Sequence, residues 1–364
     1  MVRIFTSPSR YIQGYNVIKD FGKYISHLGS KPFIIGGKTA LSTIRESVSK
    51  SVAENAMECD FAMFSGKGTR SDAADLAKKA ASFGADIIVG AGGGLVLDTA
   101  KAVTYEMDLP ITMVPTVAST DAPCSAAALQ YTKDHQLDRV ITLKRNPDVV
   151  IADSKIIAEA PTRFFVAGMG DTLSTWFEAH TCVNSGRKNF AGGMITAIGL
   201  SIARLAYDTL LGYGISAKLA VDQNAVTPAV EMVIEANTLL SSVGFENCGL
   251  GAAHSIAIGL GTLEGAHKCL HGELVGFSTI ANLVLENYPK DKINEVMSFC
   301  NNVGLPISLE QLRVKDTSRA NLTKAAKIAC DPHLFMRSLS FEVTPDLVVD
   351  SMIGANALGV SYRP

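Results

Sequence analysis

The sequence predicts an α/β domain followed by an all-helical domain, and three observations support this fold class. Short β-branched runs alternate with helical stretches over the first 160 residues, which is typical of a parallel sheet. From Ala160-Pro161 onward, apolar residues recur at the helical period and β-branched alternation nearly disappears. A chain of 364 residues with 47% hydrophobic residues can form two domains of ordinary size. We therefore expect an α/β domain over residues 1–160 and a helical domain over residues 161–364.

Local composition places the individual elements. Apolar, β-rich runs predict strands at Pro32–Ile35, Glu58–Phe64, Ile87–Val89, Ile111–Val114 and Val149–Ala152, with helices at Ser71–Phe83 and Leu97–Glu106. Two further runs, Ala126–Thr132 and Arg139–Leu143, predict a hairpin joined by the polar segment Lys133–Gln136. Helical periodicity in the second half predicts helices that include Thr172–Thr181, Met194–Leu211, Pro228–Leu240 and Val275–Leu285.

Charge and composition exclude several classes of partner. Lys and Arg total 33 against 35 Asp and Glu, without a long run of either sign, so no electrostatic footprint for nucleic acid or an anionic membrane is present. The N-terminus lacks the features of a signal peptide, and no stretch stays apolar for about 18 residues. The seven scattered cysteines lack a Cys-x-x-Cys pair, which argues against disulfides or a zinc knuckle. We expect a cytoplasmic protein.

A glycine-rich turn is the first candidate binding segment. Between Ala85 and Val103 an apolar strand runs through Gly90 and Gly92–Gly94 into a helix. Glycines at such a turn let backbone N–H groups approach an anion, and the helix N-terminus adds partial positive charge. A nucleotide pyrophosphate is the natural ligand. The spacing matches neither the dinucleotide fingerprint nor the P-loop, so a purely structural turn is the alternative at this point.

A polar loop, Pro115–Ser125, follows the next predicted strand. Its hydroxyl and carboxylate side chains, Asp121 among them, would suit ribose, phosphate or a polyol. Ligands of open α/β sheets bind outside the carboxyl ends of the strands, which is where this loop lies. A hydrogen-bonded turn without a ligand is the alternative.

Three segments of the second half carry candidate metal ligands. Asp171 follows Gly168-Met-Gly, where a helix N-cap is the local interpretation. His254 lies in an apolar, small-residue stretch that also suits a buried core histidine. His267 and His271 would share one face of a helix if that segment is helical. Two imidazoles and a carboxylate leave a divalent ion an open position, as in catalytic zinc sites, but such separated ligands cannot be proved by spacing.

Short motifs along the whole chain carry a family resemblance. They are Tyr11–Gly14, Gly92–Gly94 with Asp98–Lys101, Pro115–Pro123, Gly170–Ala179, Val226–Glu231, Ile234–Asn237, Gly244–Glu246, Ala252–His254 and His271–Glu273. With these motifs the sequence closely resembles the glycerol dehydrogenases of the iron-containing alcohol dehydrogenase superfamily. The resemblance implies a Rossmann-like nucleotide-binding domain, a helical domain of the dehydroquinate synthase type, and a homo-oligomer.

The resemblance also implies roles for particular residues. Asp171, His254 and His271 match three metal ligands, for zinc or alternatively ferrous iron, and Asp121 matches a glycerol-binding residue. These four are the predicted catalytic residues, whereas His267 matches no ligand. Cofactor contacts are expected at Gly37, Gly92, Gly93, Gly94, Leu95, Asp98, Thr116, Ser119, Ser125, Ala127 and Tyr131. Zinc would act as a Lewis acid on glycerol, and a hydride would pass to NAD, giving dihydroxyacetone.

One departure from the family pattern concerns the cofactor. An acidic residue of the family accepts hydrogen bonds from the adenosine ribose, but this chain has Gly37 there, followed by Lys38. Without the carboxylate nothing repels a 2′-phosphate. The sequence therefore predicts that NADP is tolerated or preferred.

Other departures make the expected site less polar. Leu95 and Leu274 stand where lysines are usual, Ala127 replaces a leucine, and Ala257 and Ile258 replace a histidine and an asparagine. A less polar alcohol or weakened activity would follow. The alternatives to a polyol dehydrogenase are a degenerate family member and, with less support, a cyclising lyase of the dehydroquinate synthase type.

Overall fold

The computed structural model describes residues 1–133 and 137–363, which form two compact units. The α/β unit consists of Thr6–Pro161 and Ala220–Ser242, and the helical unit of Met1–Phe5, Thr162–Leu219 and Val243–Pro364. The expected division at residue 160 is close to the break at Pro161. It differs for residues 220–242, which return to the α/β unit, and for residues 1–5, which belong to the helical unit.

A six-stranded parallel sheet forms the centre of the α/β unit, as predicted. Its strands are β1 (Arg10–Gly14), β2 (Pro32–Gly36), β3 (Asp60–Met63), β4 (Ile87–Gly92), β5 (Ile111–Pro115) and β8 (Val149–Asp153), in the order β1-β8-β5-β4-β2-β3. The inner strands are buried along their whole length, which explains their continuous apolar runs. The edge strand β1, which is only partly buried, was not predicted.

The predicted hairpin lies outside this sheet. Strands β6 (Ala127–Tyr131) and β7 (Leu137–Thr142) pair antiparallel as a separate two-stranded sheet. Residues 134–136 of the predicted connection lie outside the described residues. The hairpin is attached to the sheet's neighbouring helix, because the amide of Leu129 donates to the Asp98 carboxylate (3.1 Å).

The helices, in chain order, are α1 (Phe21–Ile25), α2 (Lys38–Glu54), α3 (Arg70–Phe83), α4 (Gly94–Met107), α5 (Ser154–Glu159), α6 (Thr162–Asn184), α7 (Ala197–Val221), α8 (Pro228–Glu235), α9 (Ser241–Cys248), α10 (Ala252–Leu260), α11 (His271–Leu285), α12 (Lys290–Val303), α13 (Arg319–Ala329) and α14 (Pro345–Ser361). A π-helical turn, Ala236–Leu240, separates α8 from α9. Helices α3, α4, α6, α7, α8 and α11 overlap the predicted helical stretches, whereas α2 and several shorter or C-terminal helices were not individually predicted.

The strand order of the sheet reverses between β2 and β4. Strand β3 pairs with one side of β2, whereas β4 pairs with the other side. The turns after β2 and β4 therefore flank a topological switch point at the carboxyl edge of the sheet, where open α/β folds bind ligands. These turns carry Gly37 and the predicted phosphate-binding glycines.

Helix α11 is the centre of the helical unit. It packs against α6, α10 and α14, and most of its length is buried. In the described part of the chain, no helix combines the length and apolar character that a membrane span requires.

Candidate metal centre

Three side chains from three helices converge inside the helical unit. Asp171 Oδ1 of α6 lies 3.3 Å from His254 Nε2 of α10 and 3.4 Å from His271 Nε2, at the first residue of α11. All three donor atoms lie within 4.8 Å of one another. A tetrahedral ion with bonds of about 2.1 Å separates its ligands by about 3.4 Å. The donor chemistry and spacing therefore fit a divalent metal ion.

The three donors differ in exposure. The side chains of Asp171 and His254 are buried, with 1% and 6% exposed, whereas 39% of the His271 side chain is exposed. A metal ion held here would be enclosed on the Asp171 side and approachable past His271. Three protein donors would leave a fourth coordination position open, as in catalytic metal sites.

Glu178 orients His254, a role that the sequence analysis did not assign. Its carboxylate lies 2.7 Å from His254 Nδ1, and it also accepts from the His254 backbone amide (2.9 Å). A hydrogen bond from Nδ1–H leaves the Nε2 lone pair directed at Asp171 and available to a metal. Glu178 follows Asp171 by two helical turns, so acidic residues seven apart in one helix were the available signal.

The charges of the centre favour a cation. Burial alone would raise the pKa of the Asp171 carboxyl, but the His271 and His254 imidazoles lower it well below its usual range. Burial would also lower the pKa of His254, but Glu178 and Asp171 together raise it well above its usual range. The buried Asp171 carboxylate thus remains ionised and requires positive charge beside it.

The helix N-cap interpretation of Asp171 is wrong. Asp171 lies in the middle of α6, and Gly168 and Gly170 before it are helical. The reason is tertiary: a Cβ at Gly170 would lie 2.1 Å from the Gly272 carbonyl oxygen. A Cβ at Gly272 would lie 1.7 Å from the Ala167 carbonyl oxygen. These glycines let α6 and the start of α11 meet at backbone contact, which places Asp171 beside His271.

The expectation that His267 and His271 share a helix face is also wrong. His267 belongs to a separate 3-10 turn, Ala266–Lys268, and its Nδ1 accepts from the Gly265 amide (3.3 Å). The Glu273 side chain accepts from the Leu270 amide (2.8 Å), which fixes the start of α11 at His271. Glu273 is in turn held by Arg163 (2.6 Å).

The glycine turn after β4 has the shape of an anion cradle. Gly92 has φ +151°, a conformation that side chains disfavour, and Gly93 precedes the first turn of α4. In the part of the chain that the structure describes, no side chain caps this turn. A Cβ at Gly94 would lie 2.8 Å from Thr120 Oγ1, so the turn fits closely against the Pro115–Ser125 loop.

The remaining predicted cofactor residues lie on the loop after β5, on the hairpin, on α4 and in the turn after β2. Thr116, Ser119 and Ser125 are buried in the loop, Ala127 and Tyr131 lie on β6, and Leu95 is in the first turn of α4. Asp98 is committed to the hairpin and to Lys101, whose Nζ lies 3.6 Å away. Gly37 precedes α2, and no described atom lies within 4 Å of the Cβ position that a side chain would add.

Comparisons with known proteins agree with this architecture. Residues 8–154 match the family model of iron-containing alcohol dehydrogenases. A glycerol dehydrogenase of Escherichia coli O6:H1 is 43% identical, covering 100% of this chain and 99% of the relative. A glycolaldehyde reductase of Halobacterium salinarum is 39% identical, and the match covers 100% of both chains. The crystal structure of a probable glycerol dehydrogenase from Sinorhizobium meliloti 1021 superimposes with a TM-score of 0.94 at 40% identity, covering 99% and 100% of the two chains.

The fold, the donor set and these relatives define a metal-dependent alcohol dehydrogenase. The predicted resemblance and fold class are thereby confirmed, and the cyclising lyase gains no support. The chain belongs to the iron-containing alcohol dehydrogenase family.

We expect Gly272→Ala to destabilise the helical unit by about 3 kcal/mol and to weaken metal binding, because the added methyl overlaps the Ala167 carbonyl. Thermal unfolding and metal titration would measure both effects. Gly276→Ala in the same helix is the matched control, since its Cβ would lie 3.6 Å from the nearest atoms. Equal stability of the two variants would contradict the close-contact argument.

We expect Glu178→Gln to weaken zinc affinity by about 10- to 100-fold, because an amide has one acceptor oxygen for the two His254 groups, the backbone amide and Nδ1, that the carboxylate contacts. Equilibrium dialysis of zinc would measure the change. Glu286→Gln is the control, because Glu286 is a partly buried glutamate that accepts from Thr181 (2.9 Å) instead of from His254. An unchanged affinity in Glu178→Gln would show that Glu178 does not support the metal.

Proposed function

We propose that this chain oxidises glycerol or a related small polyol by transferring a hydride to a nicotinamide cofactor, with dihydroxyacetone as the product from glycerol. The observation that carries the proposal is the convergence of Asp171, His254 and His271 with one partly exposed ligand. The names of the full-length relatives support the polyol class, and a glycolaldehyde reductase among them supports a small hydroxylated substrate.

We assign the metal ligands to Asp171 Oδ1, His254 Nε2 and His271 Nε2, with zinc as the ion and ferrous iron as the alternative. When bound, the ion would act as a Lewis acid toward the substrate hydroxyl. The protein side chains have separate tasks. Glu178 holds His254 in the tautomer that keeps Nε2 unprotonated, and buried Asp171 supplies the negative ligand.

We assign pyrophosphate binding to the Gly92–Gly94 turn and the N-terminus of α4, where backbone N–H groups and the helix dipole favour an anion. The proposed neighbours of the rest of the cofactor are Thr116, Ser119, Ser125, Ala127 and Tyr131. Leu95 and Gly37 are also assigned to this site, but they lack the charged side chains that are usual at these two positions. We assign Asp98 an indirect role: it accepts from the Leu129 amide and so holds β6, which carries Ala127 and Tyr131.

We assign substrate hydroxyl binding to Asp121. The apolar residues Ala257 and Ile258 favour a substrate with fewer polar groups than glycerol or a slower turnover of glycerol itself. Leu274 is buried, and its Cδ1 would be 3.3 Å from a Cβ at Gly261, so it belongs to the packed interior of the helical unit.

A direct assay tests the function. Metal-free protein is reconstituted with zinc or, under argon, with ferrous iron. It is then mixed with glycerol, 1,2-diols or simple alcohols, and the reduction of NAD or NADP is followed by the absorbance of the reduced nicotinamide at about 340 nm. His271→Ala should abolish zinc binding and turnover, whereas His267→Ala should keep both. A zinc-replete and fully active His271→Ala protein would refute the ligand assignment, and a metal-loaded wild type inactive on every alcohol would refute the function.

Cofactor choice provides a second test. We expect the wild type to use NADP, and Gly37→Asp to lower kcat/KM for NADP relative to NAD by about 10- to 100-fold through repulsion of the 2′-phosphate. Space exists for the new side chain, so a loss of folding should not obscure the result. Gly37→Asn adds nearly the same volume without charge and is the control. A wild type with a strong preference for NAD would contradict the interpretation of Gly37.

A further inference from the structure

The Pro115–Ser125 loop contains the proposed substrate residue Asp121 and several proposed cofactor contacts, yet its residues after β5 form neither helix nor strand. A loop of this kind needs other groups to fix its backbone if it is to present side chains in one geometry. The structure provides such groups on two sides.

On one side, the loop is held by Lys101 of α4. The Lys101 side chain is completely buried, and its Nζ donates to the carbonyl oxygens of Ala122 (2.7 Å) and Ala127 (2.6 Å) and to Ser125 Oγ (3.2 Å). This ammonium thus connects the end of the loop to β6.

On the other side, the loop is held by the π-helical turn and the residues after it. Asn237 Nδ2 donates to the Ala118 carbonyl (3.1 Å). The Ser242 hydroxyl donates to the Asp121 carbonyl and accepts from the Cys124 amide (3.3 Å). Its oxygen also lies 2.8 Å from the Thr238 carbonyl, so its proton is shared between the helix and the loop. Both side chains are fully buried.

The π-helical turn explains how both residues reach one loop. In a regular α-helix, residues five apart point about 140° away from each other. A turn closed by i→i+5 hydrogen bonds brings such residues onto one face. The turn at Ala236–Leu240 therefore directs Asn237 and Ser242 together at the loop backbone.

This helical segment is itself anchored to the sheet. Gln13 Nε2 of β1 donates to the Glu231 carboxylate (2.6 Å) and to its carbonyl (2.9 Å). The Tyr11 hydroxyl lies 2.7 Å from Thr238 Oγ1. The position of Asn237 and Ser242 is thus set by the sheet and not by the loop that they contact.

We propose that Asn237 and Ser242 are positioning residues, which fix the Pro115–Ser125 loop through the backbone of Ala118, Asp121 and Cys124 so that it binds alcohol and cofactor. The proposal rests on the proposed function for its substrate. It adds two residues that touch neither substrate nor cofactor, and a structural reason for the return of residues 220–242 to the α/β unit.

The test compares Ser242→Ala, Asn237→Asp and Ser242→Thr with the metal-loaded wild type. For the first two variants we expect KM for the best alcohol and Kd for NADH or NADPH, measured by cofactor fluorescence, to rise about tenfold, with kcat within about twofold, because one or two hydrogen bonds to the loop are lost. Ser242→Thr keeps the hydroxyl and should recover most of the loss. Asn237→Asp keeps the side-chain volume, so it alone tests the proposal if Ser242→Ala does not fold.

Ser51→Ala is the matched control, because Ser51 is a buried serine of the same unit whose hydroxyl accepts from the Gly22 amide (3.0 Å), far from the loop in sequence. It should lower the thermal midpoint and leave KM and Kd unchanged. The proposal is overturned if Ser242→Ala and Asn237→Asp keep wild-type KM and Kd, or if Ser51→Ala raises them equally.

The cofactor titration separates this proposal from the proposed function. A wild type that oxidises no alcohol refutes the function, yet weaker cofactor binding in Ser242→Ala and Asn237→Asp still supports the positioning role, and equal binding overturns it. A wild type that neither turns over nor binds a cofactor overturns both.

Discussion

Backbone contact between α6 and the start of α11 is the constraint on which the candidate metal centre depends. Gly170 and Gly272 lie where any side chain would overlap the opposite backbone, at 2.1 Å and 1.7 Å from carbonyl oxygens. Glycine inside a helix costs about 1 kcal/mol relative to alanine, so the contact must return at least that much. Asp171 and His271 are the neighbours of these two glycines in sequence. The close approach of the two helices therefore places Asp171 Oδ1 3.4 Å from His271 Nε2, a spacing that suits two ligands of one metal ion.

Charge then links this packing to function. Asp171 is buried and ionised, and burying an ionised carboxylate is unfavourable unless positive charge compensates it. A divalent ion would supply that charge, with His254, held by Glu178, as a neutral ligand. A metal bound to this set therefore stabilises the helical unit as well as serving the reaction, because binding energy to the folded state is also folding energy.

The sequence predicted the features that depend on local pattern and missed those that depend on distant contacts. The inner strands were predictable because burial on both faces demands apolar runs, whereas β1 lies at the sheet edge and mixes polar residues with apolar ones. Gly168 and Gly170 before Asp171 were interpreted as a loop that precedes a helix. In the sequence, such a loop cannot be distinguished from helical glycines that allow contact with a second helix. The return of residues 220–242 depends on bonds such as that of Gln13 to Glu231, which no local pattern reveals.

The proposed pyrophosphate-binding turn, Gly92–Gly94, illustrates what a site built from backbone groups tolerates. Gly92 and Gly93 shape a turn whose donors are amide N–H groups, so replacement of a neighbouring lysine by Leu95 removes a side-chain contact but leaves those donors in place. A pyrophosphate is common to NAD and NADP, and a site that recognises it through the backbone cannot tell the two apart. Under the proposed function, discrimination would therefore fall to the adenosine end of the cofactor, which we assign to the turn after β2. There the chain has Gly37 beside open space, and neither charge nor volume opposes a 2′-phosphate at that residue.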